Sequence, residues 1–261
     1  MQTNQTVLIT GASSGIGFEL ARCFARDGYK LLLVSRTAAD LDESARKLQI
    51  EFGSEVDIIP CDLSTHDGPV QLYEETKRRG YTVDVLVNDA GFGEYGLFVE
   101  TDLQKELGMI HLNVLALVHL TKLFLKEMVA RDSGKIMQLG SVVSFMPNPL
   151  QAVYAATKAF VLSFSEALQN EIEDSNVTIT ILCPPATDTN FFNVAGAENT
   201  KIAQSDIADP EQVAEAGYKG LLNGDKRVLP TLGAKLNFLS SNLFPDSMLA
   251  AIIKTQMKEV K

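Results

Sequence analysis

The sequence predicts an α/β fold in which helices cover both faces of a doubly wound parallel sheet of about seven strands. Three observations support this prediction. Short aliphatic runs alternate with longer amphipathic stretches, the runs are almost continuously apolar, and no repeat or linker divides the 261 residues. Strands that are covered on both faces have this composition. We therefore expect a single domain over residues 1–261.

Each strand candidate is followed by a stretch long enough for the crossover helix that a parallel pair requires. In chain order the candidates are TVLIT, KLLLVS, VDIIP, VDVLVN, GKIMQLG, VTITILCP and RVLP. The irregular residues 187–210, before a helix that begins near Pro210, are expected to form a substrate lid. Residues 232–261 are expected to form a C-terminal extension of two amphipathic helices separated at Pro245, packed on the sheet or against a second subunit.

Composition excludes several classes of partner. The net charge of −10 disfavours nucleic acid and anionic lipid surfaces. Three cysteines, Cys23, Cys61 and Cys183, lack metal-ligand spacing, so we expect no metal site and a reducing, cytoplasmic location. The N-terminus lacks a secretory signal pattern, and no uninterrupted apolar run approaches the roughly 20 residues of a membrane span.

A glycine-rich loop, GASSGIG, lies directly between the first strand and the helix FELARCFARDG. Glycines allow a tight turn and close backbone approach, and the free N–H groups of a helix N-terminus stabilise a pyrophosphate. A flexible turn is the alternative, which the flanking strand and helix disfavour. The predicted cofactor contacts here are Gly11, Ser13, Ser14, Gly15, Ile16 and Gly17.

The end of the second strand carries Ser35 and Arg36, where an NAD-selective site would hold an acidic residue. A guanidinium matches a 2′-phosphate, so we expect NADP(H) to be preferred over NAD(H). The alternative is that Arg36 is a solvated loop residue.

The third and fourth strands end in CDL and NDAG. Asp62 and Leu63 are placed to contact the adenine, although Asp62 is equally suited to cap the next helix. Ala90 and Gly91 are small enough to let a ribose pass. Asn88 is a further cofactor contact, or serves only to join the strand ends.

Four candidates for chemistry follow later strands. Asn113 interrupts a long apolar helix, Ser141 follows the fifth strand, and Tyr154 and Lys158 lie one turn apart on the next helix. The carboxyl ends of parallel strands meet at one edge of a sheet, so these side chains are expected to converge there. A cation beside a phenol favours the phenolate, so we expect Lys158 to lower the pKa of Tyr154.

Together, the motifs T-G-x-x-x-G-x-G at 10–17, N-D-A-G at 88–91, Asn113, Ser141 and Y-x-x-x-K at 154–158 resemble the short-chain dehydrogenase/reductase family over residues 5 to about 190. The resemblance implies a Rossmann-type sheet and hydride transfer between nicotinamide and a carbonyl or secondary alcohol. It also implies a homodimer or homotetramer.

By this resemblance, Tyr154 is the general acid/base, Lys158 also bonds the nicotinamide ribose, Ser141 holds the carbonyl oxygen and Asn113 positions a water. After the sixth strand, Pro184, Thr187 and Thr189 are expected to contact the nicotinamide or phosphate. Two positions depart from the family pattern: Asp89 replaces the second asparagine of N-N-A-G, and Pro185 replaces a glycine. We expect Asp89 to be hydrogen-bonded to a neighbouring strand or loop.

These residues favour an NADP(H)-dependent carbonyl reductase or alcohol dehydrogenase. The alternative is a non-catalytic NADP(H)-binding sensor or scaffold with the same fold, which the presence of all four candidate catalytic residues disfavours. The substrate is expected to be a small apolar molecule because six apolar residues flank the cleft, although they serve packing equally well. They are Phe92, Phe145, Met146, Leu150, Phe191 and Phe192.

Overall fold

The computed structural model describes residues 3–205 and 207–259, so the ends of the predicted domain and Asp206 of the predicted lid lie outside the described residues. Seven strands form one sheet in the order β3-β2-β1-β4-β5-β6-β7, and every pairing is parallel. The strands are β1 (Thr6–Thr10), β2 (Lys30–Ser35), β3 (Val56–Pro60), β4 (Val85–Asn88), β5 (Gly134–Leu139), β6 (Val177–Leu182) and β7 (Arg227–Val228). The predicted doubly wound sheet is confirmed. Its order reverses between β1 and β4, which opens a crevice at the carboxyl ends of these strands.

Helices connect the strands. They are α1 (Gly15–Arg26), α2 (Ala38–Phe52), α3 (Gly68–Arg78), α4 (Leu103–Ile110), α5 (Leu117–Ala130), α6 (Ala152–Glu171), α7 (Phe191–Ala195), α8 (Pro210–Asn223), α9 (Leu232–Leu243) and α10 (Asp246–Gln256). A π-helical segment, His111–Ala116, joins α4 to α5, and a 3₁₀ turn, Val142–Phe145, follows β5.

The core consists of two apolar layers, one on each face of the sheet. Successive side chains of a strand point to opposite faces. Val7 and Ile9 of β1 accordingly pack in the layer beneath α1, α2 and α8, whereas Leu8 packs in the layer beneath α3 and α5. Both layers exclude solvent, which explains the continuous apolar runs in the sequence.

The helix from Leu103 to Ala130 is long and apolar enough to cross a membrane by length and composition alone. This finding differs from the sequence expectation, which counted only uninterrupted apolar runs. Leu120, Phe124 and Met128 of this helix are buried against the sheet. Its C-terminal part therefore packs on the sheet, whereas Leu103, Leu107 and Leu115 are exposed.

Helices α9 and α10 pack loosely, unlike the rest of the fold. Phe238 of α9 meets Phe145 of the 3₁₀ turn with ring centroids 4.9 Å apart, and the Arg227 guanidinium lies over both rings. Only Ala234 in α9 and Leu249 in α10 are buried. A stripe of exposed leucines runs along α9, made of Leu232, Leu236, Leu239 and Leu243. Neither helix covers a face of the sheet.

Candidate active site

A cleft of about 380 Å³ opens at the carboxyl ends of the central strands. Most of the predicted site residues line it: Gly11, Ser13, Ser14, Gly15, Ile16, Ser35, Arg36, Leu63, Ala90, Gly91, Tyr154, Lys158, Pro184 and Thr189. Six predicted residues lie outside this lining, each held by contacts elsewhere: Gly17, Asp62, Asn88, Asn113, Ser141 and Thr187.

The glycine-rich loop has the geometry of an anion cradle. Gly11 and Gly15 have φ values of 72° and 58°, which favour glycine because a side chain is strained there. Ser14, the N-cap of α1, makes no side-chain hydrogen bond to the helix. The first N–H groups of α1 therefore face the cleft without a local cap, and the loop fits the phosphates of a dinucleotide.

Gly17 packs the loop instead of lining the cleft. A Cβ at this position would lie 2.5 Å from both the Asp89 Oδ2 atom and the Gly11 carbonyl oxygen. Real Cβ atoms essentially never approach other atoms this closely. Gly17 is therefore required for the close contact between α1 and the end of β4.

Asp89 lies at this contact, with its half-buried carboxylate against the backbone of Gly11 and Gly17. The Thr10 hydroxyl oxygen holds the Asp89 backbone by accepting its N–H at 3.1 Å, and also accepts the Ala90 N–H at 3.0 Å. Desolvation raises the pKa of Asp89 to about 7, against the opposing effects of the Lys158 charge and the nearby Gly17 N–H. The carboxyl group thus titrates near neutrality.

Asn88 points away from the cleft. Its amide donates to the Thr121 hydroxyl at 3.2 Å and to the Gln138 side-chain oxygen at 3.0 Å. These buried bonds tie β4 to β5 and α5. Of the two roles weighed for Asn88, its side-chain contacts serve the joining of strand ends.

Asn113 lies in the π-helical segment, directly behind Gly91. Its side-chain oxygen accepts the Phe92 N–H at 3.1 Å, and its NH₂ group donates to the Phe92 carbonyl at 3.0 Å and to the Thr157 hydroxyl at 3.2 Å. Thr157 in turn donates to the Tyr154 carbonyl at 2.7 Å. Both amide hydrogens of Asn113 are used on protein partners, so one oxygen lone pair is left for the predicted water.

Ser141 is buried at the end of β5, where its hydroxyl oxygen accepts the Val143 N–H at 3.3 Å and caps the 3₁₀ turn. Its backbone N–H donates to the Ser144 hydroxyl oxygen, and that hydroxyl donates to the Lys158 carbonyl at 2.9 Å. These bonds fix the 3₁₀ turn against α6. The Ser141 hydroxyl also faces the phenol of Tyr154 and acts to lower its pKa.

Tyr154 and Lys158 form the wall of the cleft beneath this turn. Lys158 donates from Nζ to the Leu139 carbonyl at 2.7 Å, and its Nζ lies 5.8 Å from the centre of the Tyr154 ring. Burial raises the pKa of Tyr154 above its ordinary value, with the Ser141 hydroxyl acting in the opposite direction and the Asp89 charge adding to the rise. The expected net lowering of this pKa beside Lys158 does not occur in the free protein, because desolvation dominates.

Burial also lowers the pKa of Lys158 to about 8, while the Asp89 charge acts to raise it. The ammonium is therefore still mostly charged at pH 7. The site thus combines a protonated phenol with a cation one turn away.

At the other end of the cleft, Arg36 is exposed and Ser35 is partly buried. Asp62 turns back on its own loop, because its Oδ1 accepts the Ser64 N–H at 2.9 Å and the Ser64 hydroxyl at 2.6 Å. These bonds hold the pKa of Asp62 below its usual range, and the nearby Arg36 charge contributes. Asp62 does not cap α3, which begins after Asp67.

The segment after β6 supplies the remaining wall. The Phe191 ring leans on the Tyr154 ring with centroids 5.0 Å apart, and it approaches Gly93 so closely that a Cβ there would lie 2.6 Å from it. Thr189 lines the cleft, whereas Thr187 is buried and donates to the Pro185 carbonyl.

The six apolar candidates therefore separate into two groups. Phe92 and Phe191 line the cleft, whereas Phe145 packs against Phe238. Phe192, Met146 and Leu150 also lie outside the cleft lining.

Several lining residues escaped the sequence prediction: Val34, Asp40, Cys61, Leu112, Leu139, Gly140, Asn190 and Val194, together with Asp89, which was noted only as a departure. Val34, Cys61, Asp89, Leu139 and Gly140 lie at or directly after strand ends, which the apolar runs of the sequence locate. The others come from loops or helix surfaces that carry no comparable signal. Within residues 3–205 and 207–259, no cluster of three His, Cys, Asp or Glu side chains is placed to hold a metal ion.

Comparison with known proteins agrees with this geometry. A family model described as short chain dehydrogenase matches residues 5–200. The human 17-beta-hydroxysteroid dehydrogenase type 3 is 34% identical over 192 residues, which cover 71% of this chain and only 60% of that protein.

Two solved structures are similar over nearly their whole length. A short-chain dehydrogenase from Sphingobium yanoikuyae in complex with NADPH is 31% identical with a TM-score of 0.81, and the match covers 95% of each chain. The bulky-bulky ketone specific alcohol dehydrogenase from Comamonas testosteroni is 30% identical with a TM-score of 0.79, again over 95% of each chain. The chain belongs to the short-chain dehydrogenase family, and it is an NAD(P)-dependent oxidoreductase that acts on small molecules.

Proposed function

We propose that this protein is an NADP(H)-dependent reductase of ketones, acting reversibly on the corresponding secondary alcohols, with Tyr154 as the general acid/base. The observation that carries the proposal is that Tyr154 and Lys158 line the same cleft as the glycine-rich loop, with the Ser141 hydroxyl directly behind the phenol. A sensor or scaffold has no need of such an arrangement.

The bound dinucleotide supplies the hydride, and the protein supplies the proton and the orientation. Because burial raises the pKa of Tyr154, the phenol retains its proton at neutral pH, as a proton donor to a carbonyl oxygen must. In this proposal the Ser141 hydroxyl, which faces the phenol, bonds the same oxygen. The Lys158 ammonium stabilises the phenolate left after the transfer.

Arg36 supports the preference for NADP(H). It lines the adenosine end of the cleft, is exposed, and offers a planar donor group suited to a 2′-phosphate. The relative from Sphingobium yanoikuyae was solved with NADPH. Asp40, the carboxylate nearest to Arg36 in sequence, lines the same end of the cleft. A kinetic comparison of NADPH with NADH tests the preference for NADP(H) directly. Equal or better use of NADH would contradict the preference.

The substrate class follows from the aromatic part of the cleft lining. Phe92 and Phe191 present aromatic surface there, which suits a bulky apolar ketone. The relatives named for hydroxysteroids and for bulky ketones support the same class.

We further propose a homodimer or homotetramer, because Leu103, Leu107 and Leu115 leave apolar surface exposed along the long helix. The three free cysteines support the proposal of a reducing, cytoplasmic location. Light scattering measures the oligomeric state directly.

The decisive experiment is Tyr154→Phe, assayed by NADPH consumption over a panel of ketones, steroid-like ketones and aldehydes. Loss of the proton donor should lower kcat by about 10²–10⁴-fold, while the affinity for NADPH stays nearly unchanged. Tyr73→Phe is the matched control, because its hydroxyl bonds Glu127 outside the cleft. Turnover that survives in Tyr154→Phe would contradict the assigned proton donor.

A further inference from the structure

Helix α1 is capped from a distance. Its own N-cap residue, Ser14, makes no side-chain bond to the helix, and the carboxylate of Asp89, 72 positions from Gly17 along the chain (89 − 17), lies against the first turn instead. A Cβ added to Gly17 would stand only 2.5 Å from its Oδ2 atom. The carboxylate is half-buried and lines the same cleft as Gly11 and Gly15. A negative group therefore already stands at the positive end of the helix that receives the dinucleotide phosphates.

The charge at this position is not needed to fill the space beside the helix. An asparagine side chain has the same shape without a charge, and the family pattern has asparagine here. Ionised Asp89 repels a pyrophosphate bound on the same helix terminus, whereas protonated Asp89 does not. The two protonation states of Asp89 must therefore differ in their affinity for the dinucleotide.

We propose that Asp89 is a positioning residue of the dinucleotide site that caps α1 as an anion in the free protein and takes up a proton when the cofactor phosphates bind. Dinucleotide affinity is thereby linked to pH. The inference rests on the proposed function only in requiring that a dinucleotide binds; it is independent of the substrate and of the role of Tyr154.

Several other groups face Asp89 or its neighbours. From α6 they are the Lys158 ammonium, which favours the ionised carboxylate, and the neutral phenol of Tyr154. The Cys183 thiol after β6 faces Lys158 and stays protonated, because burial raises its pKa to about 12. Thr10 from β1 and Gly17 from α1 contribute uncharged hydrogen-bonding groups. Lys158 is thus the other group in this cluster that titrates near neutrality, with its pKa at about 8.

The direction of the pH effect follows from the repulsion. The pKa of Asp89 is about 7 in the free protein, and bound phosphates raise it further. Affinity is constant well below pH 7, where the group is protonated in both states. It falls as pH rises from 7 towards the higher pKa of the complex, by about tenfold at pH 8, and levels off above that pKa.

The test is to measure the binding of NADPH and of NADH to the whole protein by calorimetry between pH 6 and 9. Each measurement is made in two buffers with different ionisation enthalpies, because the difference in heat gives the number of protons taken up. NADH is included because a phosphate monoester such as the 2′-phosphate titrates near pH 6. Wild type should take up protons at pH 7.5. Asp89→Asn should match wild type at pH 6 and bind about tenfold more tightly than wild type at pH 8.

Two further comparisons isolate Asp89. Asp40→Asn removes another carboxylate that lines the cleft and should leave the proton count unchanged. Repeating the measurement with Lys158→Met, with and without Asp89→Asn, removes the second titrating group, and proton uptake should then disappear only in the double variant.

Equal pH dependence in wild type and Asp89→Asn would overturn the inference and leave the reductase proposal standing. Loss of activity in a Tyr154→Phe variant bears on the reductase proposal alone. Absence of dinucleotide binding in every form would overturn both.

Discussion

The central strands and the C-terminal helix pair differ in how tightly they pack the same residue types. Leu86 in β4 is fully buried, whereas Leu239 in α9 is 53% exposed. A Cβ added to Gly17 meets two oxygens at 2.5 Å, whereas the nearest atom to one added at Gly233 is the Thr231 hydroxyl at 3.7 Å. The comparison teaches that packing dictates residue identity around the cleft and leaves it largely open in α9.

The largest expected difference is between two leucines. Leu86→Ala removes a fully buried side chain from between the sheet and α5, so the free energy of unfolding should fall by about 3 kcal/mol. Leu239→Ala should change it by less than about 0.5 kcal/mol. Urea unfolding of the two variants measures both values. Equal losses of stability in the two variants would show that α9 is packed in solution against a surface that is exposed in this structure.

A second pair compares two glycines. Gly17→Ala forces a methyl group against the Asp89 carboxylate and the Gly11 carbonyl, so it should lower stability by about 1–3 kcal/mol and weaken NADPH binding as the loop shifts. Gly233→Ala lies in an open part of α9 and should raise stability by up to about 1 kcal/mol, because alanine favours the helix. Thermal unfolding with and without NADPH separates the two effects. A neutral Gly17→Ala would contradict the close packing of the loop.

The smallest effect concerns the link between the two regions. Arg227 pairs with Glu166 and lies 5.0 Å from the centre of the Phe238 ring and 5.4 Å from that of Phe145. Arg227→Ala should therefore loosen α9 by about 0.5–1 kcal/mol and speed limited proteolysis within it. Lys235→Ala, which removes an exposed cation from α9 itself, is the control. Unchanged cleavage in Arg227→Ala would mean that the apolar contact of Phe238 alone holds the helix.

The sheet could be predicted from the sequence because the alternation of apolar runs with crossover stretches is a local pattern. Tyr154 and Lys158 were found because their spacing on one helix face is also local. The capping of α1 by Asp89, the inward turn of Asn88 and the contact of Phe191 with Tyr154 depend on segments far apart in the chain. The rise in the pKa of Tyr154 was missed for the same reason, since desolvation is a property of the folded surroundings.

A chain of hydrogen bonds runs from Phe92 through Asn113 and Thr157 to the Tyr154 carbonyl. This chain limits where the cleft can accept substitutions during evolution. It ties one part of the cleft lining to the proposed proton donor, so substitutions there should disturb catalysis. Phe191 touches the Tyr154 ring without any hydrogen bond to it. New substrate ranges are therefore expected to arise most readily through residues 190–195, where the lining can change while these hydrogen bonds stay intact.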